Sequence, residues 1–310
     1  MFIRRSASGV CVSAPAKLNL FFEILARRAD GFHEIETLMV PASLADRLTL
    51  QSTNDGDVTL NCRWAYLPSD PVCGELEHLP EDDKNLVVRA VKLLRSRAGV
   101  EFGAKIELWK RIPSAAGLGG GSSDAAAALV AANLVWNLGW SRERLASVAA
   151  ELGSDIPFFL YGGTAICRGR GELVEPVPHL PALHLVIVKP NVGLSTPAVY
   201  RACRVAEQPK SVASLLEALK NGETFRGGQL LHNQLQTAAA TLSEWPDRLH
   251  REFSRTDCWG HQQSGSGTSY FGLCRNAAHA RRVAARLGMR NVGRVMVVHT
   301  VASNVSELLK

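Results

Sequence analysis

The sequence predicts an α+β protein of two domains, each built as a sheet with helices on one face. Three observations support this prediction. Apolar residues alternate along 10–25, a glycine-rich loop at 113–124 lies between a strand pattern and a helix pattern, and prolines at 175–181 precede a second mixture of strands and helices. We therefore expect one domain at 1–175 and a second at 176–310.

The composition is that of a globular chain with its own core. Of the 310 residues, 46% are hydrophobic, and no apolar run has membrane-spanning length. We therefore expect a cytoplasmic protein without a signal peptide or a membrane partner. Seven cysteines without a C-x-x-C pair indicate reduced thiols and argue against a zinc site. The net charge of +6 suits an anionic small substrate, and the arginines at 281–290 have helical spacing, which favours a solvated helix face over a nucleic-acid partner.

The first strand pattern, 10–25, carries two polar residues that a sheet interior does not readily accommodate. Apolar side chains occupy one face, while Lys17 and Asn19 are neighbours on the other face. Two interpretations stay open. Either Lys17 is exposed on an edge strand, or Lys17 and Asn19 face a pocket together.

An Asp30-Gly31 turn follows this strand and predicts a hairpin. The next strand, 33–40, begins at His33, directly after Phe32. A histidine beside an aromatic ring often serves packing, whereas binding residues concentrate next to turns. Packing and binding therefore both remain open for His33.

Two further strands are predicted at 46–51 and 58–62. Prolines and an acidic run then predict a long surface loop at 63–84, and loops of that length are either functional lids or disordered. Asn85 opens a helix over 85–97.

The glycine-rich loop lies between two regular elements. A strand at 104–110, with its apolar residues on one face, leads into the loop, and an alanine-rich helix at 125–136 follows it. Three residues are candidate N-caps of that helix: Ser122, Ser123 and Asp124. A flexible linker would not lie between so regular a strand and helix.

This strand, loop and helix are suited to binding phosphate. Glycines leave space for a ligand and can turn their N–H groups inward as an anion nest, to which the helix start adds a partial positive charge. A Walker A loop would need a lysine where Ser122 stands, and the dinucleotide pattern read from Gly117 would need a glycine there. The loop therefore predicts a third kind of triphosphate site.

A carboxylate follows the next helix. That helix, 141–152, begins with Ser141 as its N-cap and ends at Gly153. Asp155 then precedes the apolar run 158–161. An Asx turn is the ordinary interpretation of this aspartate, and a desolvated functional carboxylate is the alternative.

The second domain places strands and helices around a second glycine loop. Strands are predicted at 183–188, 269–274 and 294–300, and helices at 198–203, 211–220, 230–240, 246–253 and 277–287. The second glycine loop, 264–268, comes directly before the strand at 269–274.

Four separated motifs resemble the GHMP kinase superfamily. They are PAKLNL at 15–20, RADGFH at 28–33, the glycine loop at 113–123 and LGSDIP at 152–157; GSG at 265–267 is similar to the superfamily's C-terminal glycine motif. The resemblance spans most of the chain. It implies an ATP-binding N-terminal domain like ribosomal protein S5 domain 2 and a C-terminal ferredoxin-like α/β sandwich.

The first two motifs narrow the resemblance. Together they are similar to superfamily members that use ATP to phosphorylate the 2-hydroxyl of a cytidine-diphosphate-linked methylerythritol in non-mevalonate isoprenoid synthesis. The resemblance implies ATP and Mg²⁺ as cofactors and this small molecule as the partner.

Individual roles follow from the matched positions. Asp155 matches the catalytic base and Lys17 the lysine beside it. The matched ATP-binding residues are Asn85, Lys110, Pro113, Ser114, Ala115, Ala116, Gly117, Leu118, Gly119, Gly120, Gly121, Ser122 and Ser123, with Ser123 also the candidate Mg²⁺ ligand. The matched substrate-binding residues are Asn19, Phe32, His33, Tyr200, Gly265, Ser266 and Gly267, with Phe32 and Tyr200 on the two faces of the cytosine ring.

Three features depart from the superfamily members that the motifs resemble. Phe32 stands where tyrosine is usual, so a hydroxyl is lost while the ring face is kept. Gln234 and Gln236 stand where acids are usual, so any role of charge there is lost. The loop at 63–84 is also longer than usual.

The sequence also argues against three other functions. A GHMP kinase for mevalonate, homoserine or a sugar would have no use for a cytosine-stacking Phe32 and His33 beside Asn19. A nucleotide-binding sensor without catalysis should have lost Lys17 or Asp155, and both are present. An RNA-binding module would need a dense basic stripe with exposed aromatic residues, whereas the six tryptophans are dispersed.

Overall fold

The computed structural model describes residues 1–6, 9–65, 79–303 and 305. Most of the loop predicted at 63–84 lies outside these residues. Within them the strands are β1 (Phe2–Ser6), β2 (Gly9–Arg27), β3 (His33–Thr53), β4 (Val58–Trp64), β5 (Gly103–Lys110), β6 (Ala165–Arg168), β7 (Leu173–Pro176), β8 (His184–Lys189), β9 (His232–Asn233), β10 (Gly260–Gln263), β11 (Tyr270–Cys274) and β12 (Arg294–His299). The helices are α1 (Leu86–Ala98), α2 (Gly120–Val135), α3 (Arg142–Leu152), α4 (Ile156–Tyr161), α5 (Thr196–Ala202), α6 (Ala213–Lys220), α7 (Thr224–Gln229), α8 (Leu235–Leu242), α9 (Trp245–Ser254) and α10 (Ala277–Gly288).

The strands form two sheets, and the α+β class is confirmed. The larger sheet has the order β1-β2-β3-β5-β4, with β6 beside β3, β7 beside β6 and β9 beside β2. The smaller sheet has the order β10-β11-β8-β12. The short β9 comes from the second half of the chain yet pairs with β2 in the first sheet. The domain ranges 1–175 and 176–310 stay a prediction.

Two long antiparallel strands, β2 and β3, dominate the larger sheet. The sequence predicts separate strands at 33–40 and 46–51, and this prediction was wrong. Pro41, Ala42 and Ala45 pair with β2, so the chain stays extended between the two predicted segments. Pairing with a distant strand, which local alternation does not report, decides this element.

Short strands were the commonest omission from the sequence prediction. The strands that were missed are β1, β6, β7, β9 and β10, each of five residues or fewer. A run this short does not develop a recognisable alternation. The predicted start of one helix was also wrong. The helix predicted at 230–240 begins only at Leu235, because β9 precedes it.

Two predicted helix starts are confirmed by their caps. The Asn85 side chain accepts a hydrogen bond from the Val87 N–H at the start of α1. The Ser141 hydroxyl accepts one from the Arg144 N–H at the start of α3. In both cases a short polar side chain satisfies an N–H that the helix itself leaves unpaired.

The predicted caps of α2 were wrong. The helix begins at Gly120 and its N-cap is Gly119, which has a left-handed φ of 68°. Ser122, Ser123 and Asp124 therefore lie inside the first turns instead of before them. Glycine takes this left-handed conformation without steric cost and brings no capping side chain, so the first N–H groups of α2 stay open toward the loop.

Helix α2 lies in the middle of the first core. Every residue from 123 to 134 is buried, and the helix packs on α1, α4 and the β2–β3 pair. A helix that is apolar on all sides belongs in a core, and alanine lets its neighbours approach closely. This packing holds the glycine loop that precedes α2 in a defined place. None of the helices in the described ranges has the length and apolar character that crossing a bilayer would require.

Candidate active site

The first glycine loop is in close contact with the second half of the chain. Gly117 has a φ of 71°, and a Cβ on it would lie 2.3 Å from the Ser264 carbonyl oxygen. The Ser264 hydroxyl donates to the Gly117 carbonyl over 3.1 Å, and the Ser269 N–H donates to the Ala116 carbonyl over 3.1 Å. The two glycine loops thus pack backbone to backbone, at a distance that only glycine permits at position 117.

Lys17 and Asp155 come together at this junction. The Lys17 Nζ lies 3.4 Å from the Asp155 Oδ2. Gly119 lies against the lysine stem, since a Cβ there would be 2.8 Å from the Lys17 Cγ. On the other side, a Cβ on Gly265 would be 3.3 Å from the Lys17 Nζ. The ammonium therefore lies between both glycine loops and the carboxylate.

The two side chains of this pair differ in their exposure to solvent. The Lys17 side chain is 6% exposed, whereas that of Asp155 is 34% exposed. Asp155 occupies the N-cap position of α4, but within the described structure its side chain makes no capping hydrogen bond. The ordinary Asx-turn interpretation therefore does not describe it. An accessible carboxylate beside a buried ammonium can accept a proton from a bound hydroxyl.

A cavity of about 1270 Å³ opens beside the pair. The predicted site residues that line it are Lys17, Phe32, His33, Asn85, Lys110, Pro113, Ser114, Ala115, Ala116, Gly117, Leu118, Gly119, Gly120, Gly121, Ser122, Asp155, Tyr200, Gly265 and Ser266. Three predicted residues are not part of its described lining: Asn19, Ser123 and Gly267. Both glycine loops, the Lys17–Asp155 pair and the aromatic residues thus share one cavity.

Asn19 lies beneath the cavity wall, which corrects the expectation that it faces the pocket with Lys17. It is 1% exposed; its Oδ1 accepts a hydrogen bond of 2.6 Å from the Lys17 Nζ, and its Nδ2 donates to the Thr37 hydroxyl over 2.8 Å. Because the amide is held at both ends, it fixes the position of the lysine. The alternative of an exposed Lys17 on an edge strand is excluded, because its side chain is 6% exposed and its N–H donates to the Leu118 carbonyl of the glycine loop over 2.8 Å.

Ser123 and Gly267 also differ from their predicted places. Ser123 is fully buried in α2, and its hydroxyl has no hydrogen-bond partner among the described residues. Gly267 faces the Gln263 side chain, since a Cβ on it would lie 2.9 Å from that amide. Gly267 therefore shapes the second loop from behind, without bordering the cavity.

Lys110 lines the cavity, but its ammonium is already bound. It forms ion pairs with Asp46 of β3 and Asp124 of α2, and all three side chains are at most 8% exposed. Asp46 also accepts hydrogen bonds from the N–H groups of Arg111 and Ile112. The Asp46–Lys110–Asp124 cluster thus joins β3, the end of β5 and the first turns of α2 behind the glycine loop.

The cluster combines strong burial with opposite charges. Burial raises the pKa of Asp124, as does the Asp46 carboxylate, while Lys110 opposes the rise. Burial acts to lower the pKa of Lys110, but the two carboxylates outweigh it and leave that pKa raised. Lys110 is therefore charged, and the two acids depend on it. The roles of Asp46 and Asp124 were not predicted from the sequence, because no local pattern relates residues so far apart.

The far end of the cavity is aromatic. Phe32 is 49% exposed, and the rings of His33 and Tyr200 lie 5.3 Å apart between centroids. Burial first, and the charge of Arg27 second, lower the pKa of His33 below its ordinary 6.5. The imidazole is therefore neutral near pH 7, with one nitrogen that donates and one that accepts a hydrogen bond.

The two glutamines at unusual positions act as acceptors for backbone groups. The Gln234 Oε1 accepts from the Ile24 N–H over 2.6 Å, and the Gln236 Oε1 accepts from the Gln263 N–H over 2.9 Å. A carboxylate could accept the same bonds, so the amides keep the acceptor while they remove a charge. Gln263 directly precedes the second glycine loop, and Gln236 thereby helps to hold that loop.

The paired glycine loops, the ammonium–carboxylate pair and the shared cavity define a kinase that phosphorylates a small alcohol. Two family comparisons agree with this class. The family described as GHMP kinases N terminal domain matches residues 85–163, and the family described as GHMP kinases C terminal matches residues 215–291.

Curated relatives place the chain in one particular family among the GHMP kinases. The 4-diphosphocytidyl-2-C-methyl-D-erythritol kinase of Pelotomaculum thermopropionicum is 42% identical to this chain over 88% of its length and 92% of the relative. The enzyme of the same name from Shouchella clausii is 38% identical, over 88% of each protein. The chain belongs to this family of GHMP kinases.

Solved structures support the same family assignment. A crystal structure of 4-(cytidine 5'-diphospho)-2C-methyl-D-erythritol kinase superposes with a TM-score of 0.77 at 34% identity, covering 94% of this chain and all of the other. A homoserine kinase from Cytophaga hutchinsonii superposes with a TM-score of 0.73 at 21% identity, covering 97% of each chain. At that lower identity the second likeness shows the shared fold alone.

Proposed function

We propose that this chain transfers the γ-phosphoryl group of ATP to the 2-hydroxyl of 4-diphosphocytidyl-2-C-methyl-D-erythritol, giving the 2-phosphate and ADP. The observation that carries the proposal is the 3.4 Å contact between Lys17 and Asp155, made where both glycine loops meet the cavity. The names of the relatives supply the identity of the alcohol. A cytoplasmic location belongs to the same proposal and is supported by the free thiols of the six described cysteines.

In this mechanism Asp155 accepts the proton of the attacking hydroxyl. Lys17 stabilises the ionised carboxylate and the developing alkoxide, and Asn19 keeps the ammonium in place. The first glycine loop and the uncapped N–H groups of α2 bind the triphosphate. Phosphoryl transfer needs mainly positioning and neutralisation of charge, and these residues supply both.

The aromatic end of the cavity would receive the cytosine. Neutral His33 can hydrogen-bond the edge of the base, while Phe32 and Tyr200 offer ring faces for stacking. Stacking of this kind contributes about 1–3 kcal/mol per base in nucleic-acid complexes. Two further ATP contacts are proposed. They come from Asn85, whose side chain also caps α1, and from the stem of Lys110.

Mg²⁺ would neutralise phosphate charge when it is bound. Among the described residues, no cluster of three or more acidic, histidine or cysteine side chains is placed to hold a metal ion. The residues fit an ion carried by the nucleotide, since Ser122 and Asp124 line the cavity beside the glycine loop. The phosphates would hold the ion, as is usual for Mg²⁺ bound through its substrate, whereas the buried Ser123 hydroxyl does not border the cavity.

The test of the function is a coupled ADP-release assay on the cytidine-linked alcohol. Mevalonate and homoserine serve as comparison substrates at the same concentration. We expect turnover of the cytidine-linked alcohol alone. Equal or better turnover of mevalonate or homoserine would overturn the assignment and favour another GHMP kinase activity.

His33→Ala should weaken the cytidine substrate selectively. Loss of a hydrogen bond worth about 0.5–1.5 kcal/mol predicts a rise in its KM of about 2- to 10-fold, with the KM for ATP unchanged. The lowered pKa also sets a pH dependence in the wild type: as pH falls through that value, imidazolium forms and loses its acceptor, so the KM rises on the acid side only. The exposed His299 provides a control as His299→Ala. Equal weakening of both substrates would contradict the pocket assignment.

Gly119→Ala should impair the use of ATP. The new Cβ would be 2.8 Å from the Lys17 Cγ at a left-handed φ, and strain of about 1–3 kcal/mol predicts a loss of about 5- to 150-fold in kcat/KM for ATP. Gly163→Ala is the matched control, since a Cβ there meets nothing within 4 Å and the position has no left-handed φ. Initial rates at varied ATP measure the effect. Similar kinetics for the two variants would refute the proposed close packing around Gly119.

A further inference from the structure

One cation on the cavity wall, Arg170, takes no part in the proposed phosphoryl transfer. Arg170 lies in the turn between β6 and β7 and lines the cavity. Its guanidinium carbon is 4.8 Å from the centroid of the Phe32 ring. A planar cation at this distance over an aromatic face is attracted by the ring's quadrupole.

The turn that carries Arg170 is firmly held. The Gly169 carbonyl accepts from the Ile35 N–H over 2.8 Å, and the Gly169 N–H donates to the Glu34 carboxylate over 3.0 Å. Both contacts tie the turn to the start of β3, directly after Phe32 and His33. The Arg170 N–H donates to the Glu172 carboxylate over 2.6 Å. The arginine therefore starts from a fixed backbone, and the loop that carries Phe32 is its neighbour.

The Phe32 ring needs such a partner. The ring is 49% exposed and, as phenylalanine, has no polar group with which to fix its orientation. Its backbone is held by hydrogen bonds with Arg28 and Asp30. A freely rotating ring would have to be ordered each time a base stacks on it, and that ordering reduces affinity.

We propose that Arg170 is a specificity-determining positioning residue, which orders the Phe32 ring as the stacking wall for the cytosine base. The inference rests on the proposed function and deepens it, because it assigns part of the nucleobase selection to a residue outside the recognised motifs. Arg170 acts on the substrate through Phe32. It has no role in the proton transfer at Asp155.

Steady-state kinetics of Arg170→Met and Arg170→Lys test the proposal. Methionine keeps a long stem without charge, and we expect it to raise the KM for the cytidine-linked alcohol by about 2- to 30-fold, with kcat and the KM for ATP unchanged. Lysine keeps a cation over the ring and should recover part of the loss. Arg168→Met is the control, because Arg168 lies on the same hairpin but pairs with Glu36 and Glu175. An unchanged KM in Arg170→Met would overturn the proposal.

A double-mutant cycle with Phe32→Leu separates action through the ring from direct attraction of the diphosphate. If Arg170 acts through Phe32, Arg170→Met adds little once the ring is gone. A full additional loss in the double variant would overturn the positioning role. Calorimetric binding of cytidine 5'-diphosphate gives a readout without turnover: wild type that fails to bind it would overturn the proposed function and this inference together, whereas equal binding by wild type and Arg170→Met would overturn the inference alone.

Discussion

Asp155→Asn is expected to lower kcat by about 10²- to 10⁴-fold, the contribution typical of a positioned general base. Asparagine keeps the size and shape of the side chain but cannot take the proton of the attacking hydroxyl. Asn19 still accepts from the Lys17 ammonium, so we expect the lysine to stay in place. Single-turnover phosphorylation of the cytidine-linked alcohol, measured at saturating ATP, gives the effect directly.

Nucleotide binding distinguishes this result from simple misfolding. The first glycine loop is fixed by α2 and by its contacts with 264–269, none of which involves Asp155. The variant should therefore bind ATP as tightly as the wild type. Asp257→Asn, which removes a carboxylate paired with His279 and Arg282 outside the cavity, controls for the loss of one negative charge. Turnover by Asp155→Asn within a few-fold of wild type would remove Asp155 from the role of base.

Lys110→Met is expected to lower the free energy of unfolding by about 3–5 kcal/mol. The substitution leaves the carboxylates of Asp46 and Asp124 buried beside each other without their cation, and removal of one partner from a buried ionic group typically has this cost. Urea unfolding followed by circular dichroism measures the loss. Because the cluster holds the first turns of α2, binding of ATP should weaken as well.

Two variants test the electrostatic origin of that loss. Lys105→Met removes an exposed lysine from the same strand, and its effect should stay within about 0.5 kcal/mol. Asp124→Asn in the Lys110→Met background replaces one of the two buried acids by a neutral amide and should restore part of the stability. If Lys110→Met unfolds like the wild type, or if Asp124→Asn destabilises it further, the cluster does not support the fold in the way described.

The local elements were predictable because their causes lie within a few residues. The alternation of β5 predicts its buried face, and the caps at Asn85 and Ser141 mark the starts of α1 and α3. The elements that were predicted wrongly depend on residues that are distant in the sequence. Strand β3 is continuous because it pairs with β2, and β9 exists only because two residues meet Phe21 and Phe22 across the chain. The cap of α2 was missed since the loop glycines themselves form its start.

The same distinction between local and distant causes applies to the candidate site. The order of residues was enough to predict a phosphate-binding loop, a lysine with an unexplained place in a strand and an aspartate with two possible roles. The tertiary structure decided that Lys17 and Asp155 are 3.4 Å apart, that Asn19 lies beneath them and that Lys110 is engaged by two buried acids. Turns and helix caps depend on neighbouring residues, so the sequence alone can determine them. Contacts between distant residues depend on strand register and on the packing of α2, and only the folded chain determines these.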